Sequence, residues 1–108
     1  MDDLPILDRA RMELITRGDG ALADEFLREL IDEAAVKIER LSAALSASNL
    51  SAIADVTHSL KGMAAELGAL RLRAAAEALE AEVDPMNRAG HLAGAIRALA
   101  ELQSLANE

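Results

Sequence analysis

Apolar residues recur every three or four positions along most of the chain, which is the spacing of one face of an α-helix. The longest stripe lies in the first half of the sequence. It consists of Leu22, Phe26, Leu27, Leu30, Ala34, Ile38, Leu41 and Leu45. This stripe predicts a long amphipathic helix that begins after Gly18, with Asp19 as its N-cap, and ends near Ala47.

Helix-breaking and capping residues predict one helix before this long one and another directly after it. A short helix is expected from about Pro5 to Thr16. After the polar link that follows Ala47, Asn49 is the expected N-cap of the third helix. Gly68 is expected to close that helix in the left-handed conformation, which glycine adopts at no steric cost.

Two more helices are predicted in the last third of the chain. The fourth begins near Leu70 and stops before Asp84 and Pro85, a pair that favours an N-cap followed by the first position of a new helix. The start of the fifth is left open, because Gly90 and Gly94 weaken helical propensity there. The apolar positions of these two helices are Leu72, Ala75, Leu79 and Val83, then Leu92, Ile96, Leu99 and Leu102.

The connections between these helices are short, which favours antiparallel neighbours. We therefore predict an all-α fold, an antiparallel up-down-up-down four-helix bundle with a short N-terminal helix, as a single domain over residues 1–108. The predicted inward-facing residues are Phe26, Leu30, Leu41, Ile53, Val56, Leu60, Leu67, Leu79, Ile96 and Leu99.

Composition narrows the classes of function. Hydrophobic residues make up 52% of the 108 residues, Phe26 is the one aromatic residue, and there is no cysteine. Disulfides and thiolate metal sites are thereby excluded. The net charge of −8 argues against nonspecific binding to nucleic acid, because phosphate backbones attract basic surfaces. A protein partner is the favoured ligand class.

No apolar run reaches the roughly 18–20 residues of a transmembrane helix. The acidic start Met1-Asp2-Asp3 is unlike a signal peptide. We expect a cytoplasmic, monomeric protein.

The third helix carries an isolated histidine opposite its apolar face. At about 100° per residue, the apolar side chains of this helix form one arc on the helical projection, with Met63 at one edge and Ala64 at the other. The centre of this arc lies on the side of the helix opposite His58. Small side chains surround the imidazole instead, all within about 40° of it on the same projection. They are Ser51, Ala54, Gly62, Ala65 and Ala69. A histidine placed in this way is expected to be accessible to a partner.

The residues around this histidine resemble the signature of histidine phosphotransfer (HPt) domains, the carriers of multistep two-component phosphorelays. His58 is followed by Leu60, Lys61 and Gly62, then by Leu67-Gly68-Ala69 and Leu72. The order and lengths of the predicted helices also fit the bundle of that family over nearly the whole chain. The resemblance implies that His58 accepts a phosphoryl group from an aspartyl phosphate on a receiver domain and passes it to another receiver.

The resemblance also implies roles for nearby residues. Lys61, about 60° round the helix and one turn on, would contact the phosphoryl oxygens. Family members often carry Gln or Glu 22 positions after the histidine, hydrogen-bonded to Nδ1, and Glu80 occupies that position here. Ala65 departs from relatives that have a polar side chain there, and nothing in the sequence orients Arg71 or Arg73 toward the phosphoryl group.

The bare surface formed by Gly62, Ser51, Ala54, Ala65 and Ala69 is the expected docking face for a receiver. Gly62 could alternatively permit close helix packing, but it points toward His58 rather than toward the apolar arc, which favours access. Expected partners are response-regulator receivers and a hybrid histidine kinase. No cofactor or metal of the chain's own is expected, because the Mg²⁺ of the transfer would belong to the receiver. His91 has no motif around it and is interpreted as a surface residue.

Two other classes of function are alternatives for this sequence, a sensor kinase and a noncatalytic helical adaptor. A sensor kinase typically has an acidic residue directly after its histidine and Thr-Pro a few residues on, whereas this chain has Ser59 and Met63-Ala64. The chain also has no Gly-rich nucleotide motif. In a noncatalytic helical adaptor, the second alternative, His58 would be incidental.

Overall fold

The computed structural model describes residues 4–108, and the acidic start Met1-Asp2-Asp3 lies outside the described residues. Five helices are present, and no strand occurs over residues 4–108, so the predicted all-α fold is confirmed. The helices are α1 (Arg9–Thr16), α2 (Gly20–Ser46), α3 (Leu50–Leu67), α4 (Leu70–Ala81) and α5 (Pro85–Ala106).

The helix boundaries follow the capping residues. Side-chain oxygens of Asp19, Asn49 and Asp84 each accept a backbone N–H in the first turn of α2, α3 and α5, at 3.1, 3.1 and 2.9 Å. Gly68 ends α3 in the left-handed conformation, with φ of 78°. These four predictions are confirmed. The first helix begins at Arg9 rather than near Pro5, because Asp8 caps it.

The last four helices pack as a ring, with α2 against α3, α3 against α4, α4 against α5, and α5 against α2. Connections of two or three residues join successive members of the ring and make neighbours antiparallel. Helix α1 packs against α2 and α3. Within residues 4–108, no helix combines the length and the apolar character that crossing a membrane requires.

The core lies along the axis of this ring and is built almost entirely from leucine, isoleucine and alanine. Six of the ten residues predicted to face inward are buried, namely Leu30, Leu41, Ile53, Leu60, Leu79 and Leu99. Three more are half-buried, namely Phe26, Val56 and Leu67. The sequence pattern therefore identifies most of the large core residues.

Two residues that the sequence pattern assigned to the apolar face of their helices are exposed in the structure. Ile96 is 50% exposed, because α5 presents Ala95, Ala98 and Leu99 to the core and turns Ile96 outward. Val83 is 84% exposed. Helix α4 ends at Ala81, so the helical periodicity that assigned Val83 to the apolar face no longer applies there.

The segment that leads into α1 crosses the turn between α3 and α4. The backbone N–H of Asp8 donates to the carbonyl of Gly68 at 2.7 Å, and Nε of Arg11 donates to the carbonyl of Glu66 at 2.8 Å. A Cβ atom at Gly68 would lie 3.0 Å from the Cβ of Asp8. Gly68 is therefore required both by its positive φ and by the close approach of the N-terminal segment.

Candidate functional site

The candidate site is centred on His58, in the middle of α3. Its side chain is 78% exposed. The adjacent Thr57 is fully buried, and its hydroxyl donates to the carbonyl of Ile53 at 2.8 Å. Leu60 is also fully buried. These inward-facing side chains hold α3 against the bundle, and the same rotation directs the imidazole outward.

Four of the five small residues predicted around His58 lie on or near the surface. Ser51, Ala54 and Gly62 are exposed, and Ala65 is half-buried. Ala69 is fully buried, so its assignment to an accessible face is wrong.

The error at Ala69 has a local cause. Helix α3 ends at Leu67, and the left-handed turn at Gly68 sends the chain into α4. The rotation of 100° per residue therefore cannot be extended to Ala69. This residue occupies the N-cap position of α4 and lies in the core.

Gly62 is not a packing residue in this structure. A Cβ atom built there meets nothing within 4 Å, and the residue has no positive φ. Glycine in an exposed helix interior costs about 1 kcal/mol relative to alanine. Neither close packing nor backbone conformation accounts for that cost, so the interpretation that Gly62 keeps the surface open is favoured.

Glu80, on the facing side of α4, has a partner on each carboxylate oxygen. Oε1 accepts a hydrogen bond from Nζ of Lys61 at 2.7 Å. Oε2 lies 3.4 Å from Nδ1 of His58, which is long for a hydrogen bond. The side chains of Lys61 and Glu80 are 30% and 38% exposed, respectively. One carboxylate thus joins the two residues of α3 that the sequence assigned to phosphoryl chemistry.

Electrostatics agree with these distances. The hydrogen bond from Lys61 is the largest influence on Glu80 and lowers the pKa of its carboxyl group below the ordinary value of 4.5. The contact with His58 acts in the same direction and is weaker, whereas desolvation opposes both. Glu80 is therefore ionised at neutral pH, and its charge is directed mainly at Lys61.

Arg71 and Arg73, the other basic residues considered from the sequence, pair with groups outside the His58 site. Arg71 pairs with Glu101 of α5 and donates from Nε to the carbonyl of Leu4 at 2.6 Å. Arg73 donates from Nε to Glu77 at 2.7 Å within α4. Lys61, which shares the carboxylate of Glu80 with His58, is therefore the cation that these contacts place at the site.

The second histidine is less exposed than the sequence indicated. His91 is half-buried, and its Nε2 lies 2.9 Å from Oε1 of Glu82. The hydrogen bond from His91, followed by one from the backbone N–H of Asp84, lowers the pKa of Glu82 below 4.5. Over residues 4–108, no three His, Cys, Asp or Glu side chains are grouped closely enough to hold a metal ion.

The sequence model of the Hpt domain family matches residues 25–108. The chain belongs to the Hpt domain family. Members of this family act in histidine phosphotransfer in two-component systems. Comparison with curated proteins and with solved structures found no match. The matched part begins inside α2, so α1 and its capping segment lie outside it.

One feature of this Hpt domain was not anticipated from its sequence. Lys61 and Glu80 were assigned to different atoms, the phosphoryl oxygens and the imidazole, yet they pair with each other more closely than Glu80 pairs with His58. The two residues are 19 positions apart on different helices. Nothing in the spacing along one helix predicts such a contact, because it depends on how α3 and α4 pack.

Proposed function

We propose that this Hpt domain is a phosphoryl carrier that moves a phosphoryl group between aspartates of receiver domains through His58. The observation that carries the proposal is the exposure of the imidazole beside an ionised carboxylate. Glu80 lies on the Nδ1 side of the ring, and among residues 4–108 no side chain hydrogen-bonds to Nε2. This arrangement supports Nε2 as the nucleophile.

The chemistry needs little covalent help from the protein. In the neutral ring with a proton on Nδ1, the lone pair of Nε2 attacks the phosphorus of an aspartyl phosphate. The N–P bond forms as the P–O bond breaks, and the receiver aspartate leaves with the electron pair as a carboxylate. The ring then carries a positive charge and keeps its Nδ1 proton, which Glu80 is placed to accept as a hydrogen bond. Transfer to a second receiver is the reverse of these steps.

The remaining site residues supply charge and access in this proposal. Lys61 stabilises the phosphoryl oxygens as a mobile point charge. The exposed small residues Gly62, Ser51 and Ala54, with half-buried Ala65 beside them, leave room for the receiver surface. The Mg²⁺ that assists transfer belongs to the receiver, and this chain is expected to need no cofactor of its own. Its partners would be cytoplasmic receivers and a hybrid histidine kinase.

The test is phosphoryl transfer to the purified protein from labelled receiver domains of the source organism. We expect a label that is lost in acid and retained in alkali, as a phosphohistidine is and an acyl phosphate is not. Labelled ATP alone should transfer nothing. Binding of receivers without any transfer would favour the noncatalytic adaptor and contradict the proposal, and labelling by ATP would indicate a kinase.

A further inference from the structure

We infer that Glu80 is a positioning residue that competes with the phosphoryl group for the ammonium of Lys61. In the unphosphorylated protein the carboxylate holds Lys61, and phosphorylation of His58 draws Lys61 away to the phosphoryl oxygens. This inference rests on the proposed role of His58 as phosphoacceptor. It adds a device that sets how favourable phosphorylation of His58 is.

The geometry carries the first half of this inference. The distance from Nζ of Lys61 to Oε1 of Glu80 is 2.7 Å, whereas the distance from Nδ1 of His58 to Oε2 is 3.4 Å. Charge-assisted hydrogen bonds are short, so the shorter contact is the stronger one. In the resting state, the cation needed by the phosphoryl group is already bound to an anion.

The movement of Lys61 to the phosphoryl group, the second half of the inference, follows from the shared location of His58, Lys61 and Glu80. All three are solvent-accessible, with exposures of 78% for His58, 30% for Lys61 and 38% for Glu80. A phosphoryl group on the outer ring nitrogen adds about two negative charges close to Lys61. The long, flexible lysine stem allows the ammonium to change partners. Glu80 then keeps the positively charged ring as its own partner.

Competition predicts how strongly residue 80 changes the contribution of Lys61 to phosphorylation of His58. When Glu80 is present, Lys61 must give up an ion pair before it can stabilise the phosphoryl group, so part of its effect is lost. When residue 80 is a glutamine, the amide still faces Nδ1 but binds the ammonium weakly. Removing Lys61 should therefore reduce phosphorylation more in the Glu80→Gln background than in the wild-type background, by about two- to fivefold for an exposed pair.

The experiment measures the extent of His58 phosphorylation in four proteins: the wild type, Lys61→Met, Glu80→Gln and the double variant. The donor is phosphoramidate in a fixed excess of ammonia. Its P–N bond breaks as the bond to the imidazole forms, and the nitrogen leaves as ammonia with the electron pair. The readout is the phosphorylated fraction at equilibrium, determined by intact mass. Circular dichroism verifies that each variant is folded.

The double-mutant cycle isolates the interaction between residues 61 and 80 from any separate effect of Glu80 on the ring. A larger loss on removing Lys61 in the Glu80→Gln background supports competition. Equal losses in the two backgrounds would mean that the residues act independently, and a larger loss in the wild-type background would mean that Glu80 assists Lys61. Either of these results overturns the inference, as does failure of phosphoramidate to modify His58.

The chain offers a matched control and a direct signal from the ammonium. Glu77 lies on the same helix and pairs with Arg73, so the same cycle made with Glu77→Gln should show no coupling to Lys61. Lys37 and Lys61 are the only lysines, so labelling with lysine enriched in ¹³C at Cε gives two NMR signals. The Lys61 signal should shift on phosphorylation and in Glu80→Gln. A Lys61 signal that moves in neither case contradicts the exchange of partners.

The chemical donor separates this inference from the proposed function. If phosphoramidate modifies His58 and the cycle shows competition while no receiver transfers its label, the carrier function fails and the competition stands. If receivers do transfer label and the cycle shows no coupling, the carrier function stands and the competition fails.

Discussion

The molecule contains two histidine–glutamate pairs that invite comparison, because both use a carboxylate from the end of α4. His91 lies 2.9 Å from Glu82, and its side chain is 34% exposed. His58 lies 3.4 Å from Glu80, and its side chain is 78% exposed. The shorter and more buried pair has no phosphotransfer motif around it, and the longer and more exposed pair has the motif.

The second oxygen of each carboxylate explains the difference between the pairs. Oε2 of Glu82 accepts the backbone N–H of Asp84 at 3.2 Å, so this carboxylate joins α5 to the turn that precedes it. Oε1 of Glu80 accepts from the side chain of Lys61, which can move. The two histidine–glutamate contacts therefore differ in exposure and in what else the carboxylate holds: one links backbone segments, and the other is accessible at the surface.

The largest expected effect comes from exchanging each histidine for glutamine. His58→Gln should abolish the acid-labile label from a receiver, because His58 is the one histidine within the motif. His91→Gln should be labelled like the wild type. Scintillation counting after transfer, with far-UV circular dichroism as a folding check, measures both. Label retained by His58→Gln, or lost by His91→Gln, would remove the functional distinction between the pairs.

Lys61→Ala should have the next largest effect, on transfer rate. Loss of a charge that acts in the transition state is expected to slow transfer by about ten- to a hundredfold, below the usual loss for a buried donor because the site is solvated. Receiver affinity should change little. Rapid-quench kinetics and a binding titration separate the two quantities. Arg73→Ala, which removes a cation of α4 paired with Glu77, is the control and should transfer normally.

Gly62→Gln tests whether accessibility distinguishes the two histidines. A Cβ atom at residue 62 meets no protein atom within 4 Å and glutamine is the better helix former, so unfolding should be no easier, and the free energy of unfolding should rise by about 0.5 kcal/mol. Receiver binding should weaken by about tenfold, because the added side chain occupies the space beside His58. Calorimetric titration and thermal melts measure these effects.

The control for that substitution is Gly90→Gln. Gly90 is also open and helical, but it lies on α5, which is not one of the two ring neighbours of α3. This variant should bind receivers like the wild type. If Gly62→Gln bound receivers and transferred the phosphoryl group normally, the absence of a side chain at residue 62 would not be needed for a receiver to reach His58.

The smallest expected effect concerns stability at the His91–Glu82 pair. Because the folded protein lowers the pKa of Glu82 below 4.5, its carboxylate stabilises the fold fully above that pH, and this contribution is lost as pH falls below it. Wild type should therefore exceed Glu82→Gln in free energy of unfolding near neutral pH, and the difference should shrink from about pH 5 to about pH 3. Chemical denaturation at several pH values measures it. A difference that grows on acidification would contradict the assignment.

The spacing of apolar residues predicted α2, α3 and α4 closely, because each helix buries a stripe with a period near 3.6, whereas the start of α5 was left open. Asp19, Asn49 and Asp84 marked helix starts, since side-chain capping is a local interaction between residues two or three positions apart. The wrong assignments of burial occur where a helix ends or where alanine rather than a large apolar residue faces the core. Ala69 and Val83 lie beyond the ends of α3 and α4, and Ile96 was misplaced because Ala95 brings α5 toward the core.

The sequence by itself determined most of the helices and the outward position of His58, because periodicity and capping act within one helix, and its short connections determined that successive helices are antiparallel. Tertiary structure alone decided which partners share a carboxylate. Glu80 bridges His58 and Lys61 only because α4 packs against α3 in one particular register. Likewise, the close contact of Gly68 with the N-terminal segment depends on chain segments about 60 residues apart in sequence. Such contacts are fixed by the packing of whole helices, which no local pattern specifies.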